Sequence, residues 1–388
     1  MTDHSSGGSR AMHGPPVRAV RARTYVVPTT YDGDPMPESD GTARWDSTGV
    51  LVVEVEAGGC TGLGYAYTSP AALGVVRDVL AGVLLDDEDA GGVFATQRHF
   101  WSMARAVRNM GWRGIAASAV SALDVALHDA KARLLGVSLL ELLGASADRV
   151  MAYGSGGFTT YTDTQLRQQF AGWAERGLRA VKMKVGTDSA ADPSRVRAAR
   201  DAIGADIDLF VDANGAYDRK QALEFAERFF ADAQVSWFEE PVSSDDTDGL
   251  RLLRDRAPAG MRIAAGEYGY VPTDFRLLLE AGAVDVLQAD ATRCGGVTGF
   301  RNAAEQCIAR GLPLSAHTAP ALHATLAASV EPAVNVEYFH DHALIESLLF
   351  DGVPELIDGC LVPDTSRPGH GLVTSGRGED YLTSEWES

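Results

Sequence analysis

From Val150 onward, short apolar runs alternate with amphipathic stretches at nearly regular intervals, the pattern of parallel strands joined by crossover helices. The runs that read as strands are 150–155, 180–185, 208–212, 235–240, 262–267, 284–290, 312–317 and 333–337. Helical spacing fills the gaps at 163–176, 194–203, 219–230, 247–255, 272–281, 298–309 and 320–329. Eight such strands close a barrel, so the fold class predicted is a TIM-like α/β barrel of (β/α)7β or (β/α)8 form. Upstream the texture differs. Residues 17–27 and 49–57 read as strands, the second alternating as in an antiparallel sheet, and helices are predicted over 70–85, 93–109 and 113–135. In the last of these, Ile115, Val120, Leu123, Ala126 and Leu127 recur at helical spacing and form a core-facing stripe. The division expected is a flexible tail at 1–15, an N-terminal α+β capping module at 16–145, the barrel at 146–360, and a C-terminal segment at 361–388 packing back on the capping module.

Length fits this division, because 388 residues exceed a barrel of about 250 by roughly one further module. A hydrophobic share of 45% with 22% charged residues is that of a globular chain, so no long disordered region is called for. The formal charge of −19 repels phosphate backbones and anionic membrane surfaces, which argues against nucleic-acid and membrane partners. An anionic substrate then needs a locally positive pocket. Cys60, Cys294, Cys307 and Cys360 are scattered without short spacing, so no disulfide framework or zinc knuckle is expected, and a reducing cytoplasm fits. No stretch approaches the roughly 18 apolar residues of a membrane span.

The chemistry gathers at the C-terminal ends of the barrel strands, where such folds build their sites. Lys182 and Lys184, Asp212, Glu239, Glu267, Asp290, His317 and Glu337 each end a strand. Asp212, Glu239 and Glu267 lie on consecutive strands and would repel one another without a cation; an all-oxygen set suits Mg²⁺, with Mn²⁺ as a substitute. In the Glu239–Glu240 pair the first is expected to point inward and the second away. Lys182 and Lys184 share a strand face, and two adjacent ammonium groups should depress each other's pKa until one serves as a neutral base. Asp290 and His317 end adjacent strands and should hydrogen-bond, fixing the imidazole tautomer. The GGVTG run at 295–299 reads as a tight strand-to-helix corner rather than a phosphate cradle. His340 and His342, in EYFHDH, offer metal ligation with Asp341 or a polar pocket rim, and the rim is the expectation.

Taken together, VKMKVG (181–186), VDANGAY (211–217), WFEEP (237–241), GE (266–267), QADATRCGGVTG (288–299), SAH (315–317) and VE (336–337) make the chain resemble the enolase superfamily and, within it, the mandelate racemase subgroup. ALDVALHDAKARLLGVSLLELLG (122–144) is similar to the end of that family's capping domain. The resemblance implies that Asp212, Glu239 and Glu267 are metal ligands and that Lys184 is the base, tuned by Lys182, which touches the substrate carboxylate. It also implies that His317 and Asp290 form a dyad on the opposite face, that Glu337 is the acid that hydrogen-bonds the developing enediolate, and that the enzyme is a homo-oligomer. The reaction implied is Mg²⁺-dependent removal of the proton α to a carboxylate.

Dehydration of an acid sugar to a 2-keto-3-deoxy acid is the favoured outcome, because the loop from Tyr31 to Trp45 carries Asp32, Asp34, Glu38, Asp40 and Arg44, groups suited to a polyhydroxylated substrate. Tyr31, Asp34, Glu38, Arg44, Asn214 and His340 are the expected substrate contacts. Racemisation or epimerisation of a 2-hydroxy acid, or cycloisomerisation, starts from the same proton removal. A retaining glycosidase using Glu239 and Glu267 would leave the lysines and the dyad without a role. A Schiff-base aldolase could use Lys184, which borohydride trapping of a substrate adduct would reveal, and a noncatalytic binding barrel would leave its full set of ionisable groups unexplained.

Overall fold

The structure, a computed structural model, describes residues 14–85 and 92–388, so most of the expected tail lies outside the described residues. Its N-terminal module is a four-stranded antiparallel sheet ordered β13-β1-β2-β3. These strands are β1 (Val17–Pro28), β2 (Ser47–Ala57), β3 (Cys60–Tyr67) and the chain's last strand, β13 (Leu382–Glu387). Arg21 of β1 pairs in register with Glu387 of β13, so the two ends of the chain share one sheet.

Strand β3 is absent from the sequence-based expectation, and the reason is its glycines. CTGLGYAY is left unassigned between the predicted elements, and its Gly62 and Gly64 face the long helix Ile115–Leu135. A Cβ on Gly62 would meet the Ala126 carbonyl oxygen at 2.1 Å, and one on Gly64 would meet that of Ala122 at 2.0 Å. Here glycine permits a close approach of backbone to backbone rather than a turn. The same helix buries Val120, Leu123, Ala126 and Leu127 of the predicted stripe, while Ile115 is exposed at its start. The expected 70–85 helix is helical in three pieces, Ala72–Val75, a π-turn at Val76–Leu80, and Ala81–Leu85.

The barrel strands are β4 (Val150–Gly156), β5 (Ala180–Lys184), β6 (Asp208–Asp212), β7 (Val235–Glu239), β8 (Arg262–Ala265), β9 (Val286–Ala289), β10 (Leu314–Ala316) and β11 (Ala333–Phe339). All pair in parallel in sequence order, and β11 returns to β4, closing the eight-stranded barrel that the sequence predicts. A further strand, β12 (Cys360–Val362), runs antiparallel to the start of β4.

Inside the barrel, Tyr153, Ala180, Phe210, Trp237, Ala264 and Val286 form a small buried cluster of their own. Phe210 stacks on Trp237 with centroids 5.0 Å apart. This aromatic floor carries the polar layer above it: Trp237 Nε1 donates to Glu239 Oε2 at 3.1 Å, and Lys182 Nζ to the Tyr153 hydroxyl at 3.4 Å. Capping module and barrel are joined at the GGVTG corner. Asp124 of the long helix accepts from the Thr298 amide and hydroxyl, both at 2.9 Å, and Ser121 Oγ accepts from the Gly295 amide at 2.8 Å. The N–H groups at that helix start, which have no partner within the helix, are thus met by a carboxylate and a hydroxyl of the protein, which accords with a packing corner.

Candidate active site

Strand register puts the first part of the site together. Lys184 of β5 is paired with Asp212 of β6, which is paired with Glu239 of β7, so three strand-end side chains lie in one row. Glu267 follows Gly266, whose φ of +136° turns the chain out of β8; a Cβ there would meet the Gln288 carbonyl oxygen at 2.2 Å. As a result Asp212, Glu239 and Glu267, all buried, offer carboxylate oxygens within 4.8 Å of one another. Three buried carboxylates at that separation need positive charge among them, and an all-oxygen set suits a hard divalent cation such as Mg²⁺.

Both lysines are buried beside this row. Lys184 Nζ donates to Asp212 Oδ2 at 2.5 Å. Lys182 Nζ is 2.6 Å from Glu239 Oε1, 2.9 Å from Glu337 Oε1 and 3.8 Å from Asp212 Oδ2. The expected depression of Lys184 by the charge of Lys182 is present but is outweighed. Burial lowers each, but Glu239 and Glu337 around Lys182, and Asp212 beside Lys184, outweigh it and hold both above the ordinary lysine range. Sequence spacing places the two like charges on one face; it does not reveal that carboxylates surround them.

Across the row stands the dyad. His317 Nδ1 lies 3.1 Å from Asp290 Oδ2, and its Nε2 lies 3.2 Å from Glu267 Oε2 and 3.7 Å from Glu337 Oε2. Burial opposes the imidazolium, but Glu267, Glu337 and Asp290 together raise its pKa to about 9. Glu337, despite burial, is drawn down to about 2 by Lys182 and His317 and accepts the Thr318 amide at 3.0 Å.

Two departures concern residues next to the row. Glu240, expected to point away, is buried, and its φ of +36° breaks the alternation of the strand. Burial and the charges of Glu267, Asp212 and Glu239 push its carboxyl well up. Arg293 is a site residue that strand-end reasoning misses. Its Nη1 donates to the Glu267 carbonyl at 3.1 Å, its Nε is 3.5 Å from Asp290 Oδ2, and its guanidinium lies over the Tyr268 ring at 5.5 Å. Its place three residues after Asp290, at a strand-to-helix corner, is the signal that the sequence offers.

A cavity of about 520 Å³ opens onto this layer, lined from the barrel by Lys184, Asn214, Glu267, Arg293, His317 and Phe339. Asn214, with φ +46°, donates its amide to Asp212 Oδ1 at 2.9 Å, while its own buried Oδ1 has no partner. The capping loop does cover the cavity, but through Asp40, Ala43, Trp45, Ser47 and Thr48. Most residues named from that loop lie elsewhere. Tyr31 hydrogen-bonds the Gln165 carbonyl and Gln168 Oε1, both at 3.2 Å, outside the cavity. Asp34 and Arg44 are exposed on two short hairpins, Glu38 is fully buried, and His340 contacts the Thr30 carbonyl at 3.2 Å. Composition tells that the loop is polar; the hairpin turns, which composition does not reveal, decide which side chains face the cavity.

Comparison with known proteins agrees with this geometry. Residues 21–144 match the family model described as the mandelate racemase/muconate lactonizing enzyme N-terminal domain, and residues 165–377 match that of the enolase C-terminal domain-like family. A 3,6-anhydro-alpha-L-galactonate cycloisomerase of Streptomyces coelicolor is 32% identical over 92% of this chain and 96% of its own. An L-talarate/galactarate dehydratase of Salmonella typhimurium is 30% identical over 87% of this chain and 84% of its own. A mandelate racemase/muconate lactonizing enzyme-like protein from Rubrobacter xylanophilus superposes with a TM-score of 0.90 at 48% identity, covering 95% of this chain and 100% of that one. L-Talarate dehydratase from Polaromonas, solved with Mg and L-glucarate, superposes at 0.85 with 30% identity over 97% and 99% of the two chains.

Proposed function

The chain belongs to the mandelate racemase/muconate lactonizing enzyme family of the enolase superfamily, and on that premise we propose that it is a Mg²⁺-dependent enzyme that removes the α-proton of an acid sugar and dehydrates it to a 2-keto-3-deoxy acid. One observation carries the reading: Lys184 and His317 bracket the carboxylate row, bonded to Asp212 at one end and Glu267 at the other, and both line one cavity. A base at one side and an imidazole at the other are what α-proton removal followed by departure of a β-hydroxyl require.

Asp212, Glu239 and Glu267 would hold Mg²⁺, which would supply the positive charge that an enediolate dianion needs and leave Lys184 free of its part as counter-charge to Asp212. Lys184 takes the α-proton. Lys182, buried between Glu239 and Glu337, contributes a fixed positive charge to the substrate carboxylate. His317, held by Asp290, gives its proton to the leaving hydroxyl, and the enol left behind becomes the ketone. Asn214, with its unpartnered Oδ1 at the cavity, is suited to accept from a substrate hydroxyl.

Cycloisomerisation is the second reading, favoured by the name of the Streptomyces coelicolor relative, and it begins with the same proton removal. A panel of aldonic and aldaric acids, supplied with Mg²⁺ and analysed for 2-keto products, tests the proposal. Exchange of the α-proton in D₂O with every hydroxyl retained overturns dehydration in favour of racemisation. The reading extends to a cytoplasmic homo-oligomer. The four cysteines are free and no helix among the described residues is long and apolar enough to cross a membrane, while exposed Trp101, Met110 and Ile115 give the capping module apolar surface for contacts between copies.

A further inference from the structure

A second group of metal-ligating side chains lies at the seam between capping loop and barrel. Glu38 comes from the first of the two modules, and His340 and Asp341 open the helix His340–Leu349 that follows β11. One ligand atom from each lies within 4.8 Å of the other two. Glu38 is fully buried and Asp341 is 3% exposed. Neither oxygen of Glu38 has a hydrogen bond of acceptable geometry; the polar groups turned toward it are Asp341, Trp45 and Tyr161, and the Tyr161 hydroxyl is itself buried without a partner. Thr48 Oγ1 lies 3.4 Å from Asp341 Oδ2. Among the described residues, His340 is the basic side chain facing these two carboxyl groups. Two buried carboxyls this close must share a proton or bind a cation.

The histidine distinguishes the two cases. His340 Nε2 faces the Thr30 carbonyl oxygen at 3.2 Å, and because a carbonyl only accepts, Nε2 carries the hydrogen. A neutral ring in that tautomer leaves Nδ1 with a bare lone pair. Metal-bound histidines are typically oriented in this way, donating their other ring N–H to a carbonyl.

We propose that Glu38, His340 and Asp341 form a second divalent-cation site that ties the capping loop to the end of β11 and, having an imidazole beside two carboxylates, prefers Mn²⁺ or Zn²⁺ to Mg²⁺. The site is separate from the catalytic row and independent of the reaction assigned to it. Asp341 lines the cavity along with Trp45 and Thr48 of the loop, so a cation here fixes the cavity's cover in place.

The test uses the full chain, stripped with EDTA and titrated with Mn²⁺ alone, the bound ion being counted by calorimetry and electron paramagnetic resonance. Wild type should take two equivalents. The double variant Asp212→Asn/Glu239→Gln, which disables the catalytic row, should take one, keep it against an about tenfold excess of Mg²⁺, and melt at a higher temperature with Mn²⁺ than without. Adding Glu38→Gln, or His340→Asn should the former not fold, should abolish both the remaining equivalent and the thermal rise. A single equivalent in wild type, none in the row-disabled protein, or a thermal rise that survives Glu38→Gln overturns the proposal and leaves a proton-sharing carboxyl pair in its place.

Discussion

Two buried groups of carboxylates lie at the same end of the barrel and balance their charge in opposite ways. At the strand ends, Asp212, Glu239, Glu267 and Glu337 are interleaved with Lys182, Lys184 and His317, so each negative group has a positive neighbour within hydrogen-bonding reach or close to it. At the seam with the capping loop, Glu38 and Asp341 face each other with His340 as the basic group beside them. The Glu38 carboxyl is accordingly pushed up to about 11, by burial first and by Asp341 second. The first arrangement keeps several ionised groups ready to exchange protons with a substrate. The second lies where two parts of the fold meet, with Asp341 at the edge of the cavity. Similar side chains therefore perform chemistry or join modules according to what compensates them.

The sharpest way to break this comparison is to remove one compensating charge from the strand ends. Lys184→Ala should lower turnover of an acid sugar by about 10²–10⁴-fold, the usual contribution of a positioned base. It should also abolish α-proton exchange in D₂O. His317→Asn should keep exchange while losing the 2-keto product, since its role comes at departure of the hydroxyl. If both variants keep exchange, neither group is the base, and the row's lysines are structural counter-charges like any others.

On the capping side, packing rather than charge should dominate. Gly64→Ala sets a methyl group 2.0 Å from the Ala122 carbonyl oxygen and 2.7 Å from the Ala126 amide nitrogen, so the long helix must move off the sheet. Overpacking of this kind costs about 1–3 kcal/mol. Urea denaturation measures it. A variant as stable as wild type would show that the helix-to-sheet contact is slack. A smaller effect is expected where the loop meets the cavity. Trp45 lines it and packs edge-on against Phe158, with centroids 5.7 Å apart. Trp45→Ala should raise KM about tenfold with kcat little changed, the pattern of a contact made equally in ground and transition states. A fall in kcat alone would instead assign the loop to the chemistry.

The barrel is legible in the sequence because parallel strands buried on both faces leave long apolar runs, and because ionisable groups closing run after run form a pattern that a solvated surface does not produce. Lys182, Asp212, Glu239 and His317 can be named from that alone. Strand β3 is not legible, since glycines that serve close helix packing look locally like a turn. Glu240 defeats strand reasoning because a left-handed φ interrupts the alternation that such reasoning assumes. Arg293 is marked in the sequence by its place three residues after Asp290 and by nothing else, because a single arginine near a helix start carries no periodicity. In the capping loop, Asp34, Glu38 and Arg44 group together by polarity, but the two short hairpins send one inward to full burial and the others to solvent. Sidedness in a loop depends on turn geometry and on the surface that it covers, neither of which a composition records.

The mildest test concerns a buried carboxyl outside both groups. Glu346 accepts the Tyr65 hydroxyl at 2.6 Å and the Ala321 amide at 2.9 Å, joining the capping sheet to the barrel without any cation. Burial raises its pKa to about 8 even though both hydrogen bonds pull it down. The folded protein therefore holds a proton here that the unfolded chain releases near the ordinary carboxylate range. Between roughly pH 4.5 and 8 the native state binds more protons than the unfolded state, so this group's contribution to stability is full below that window and lost as pH rises through it. Glu346→Gln keeps the shape and removes the titration. Melting temperatures of wild type and variant, followed from about pH 5 to pH 8, should show wild type losing about 1–3 °C relative to the variant. Parallel curves would mean that Glu346 is ionised throughout, and that two hydrogen bonds stabilise a buried charge at this junction with no positive partner at all.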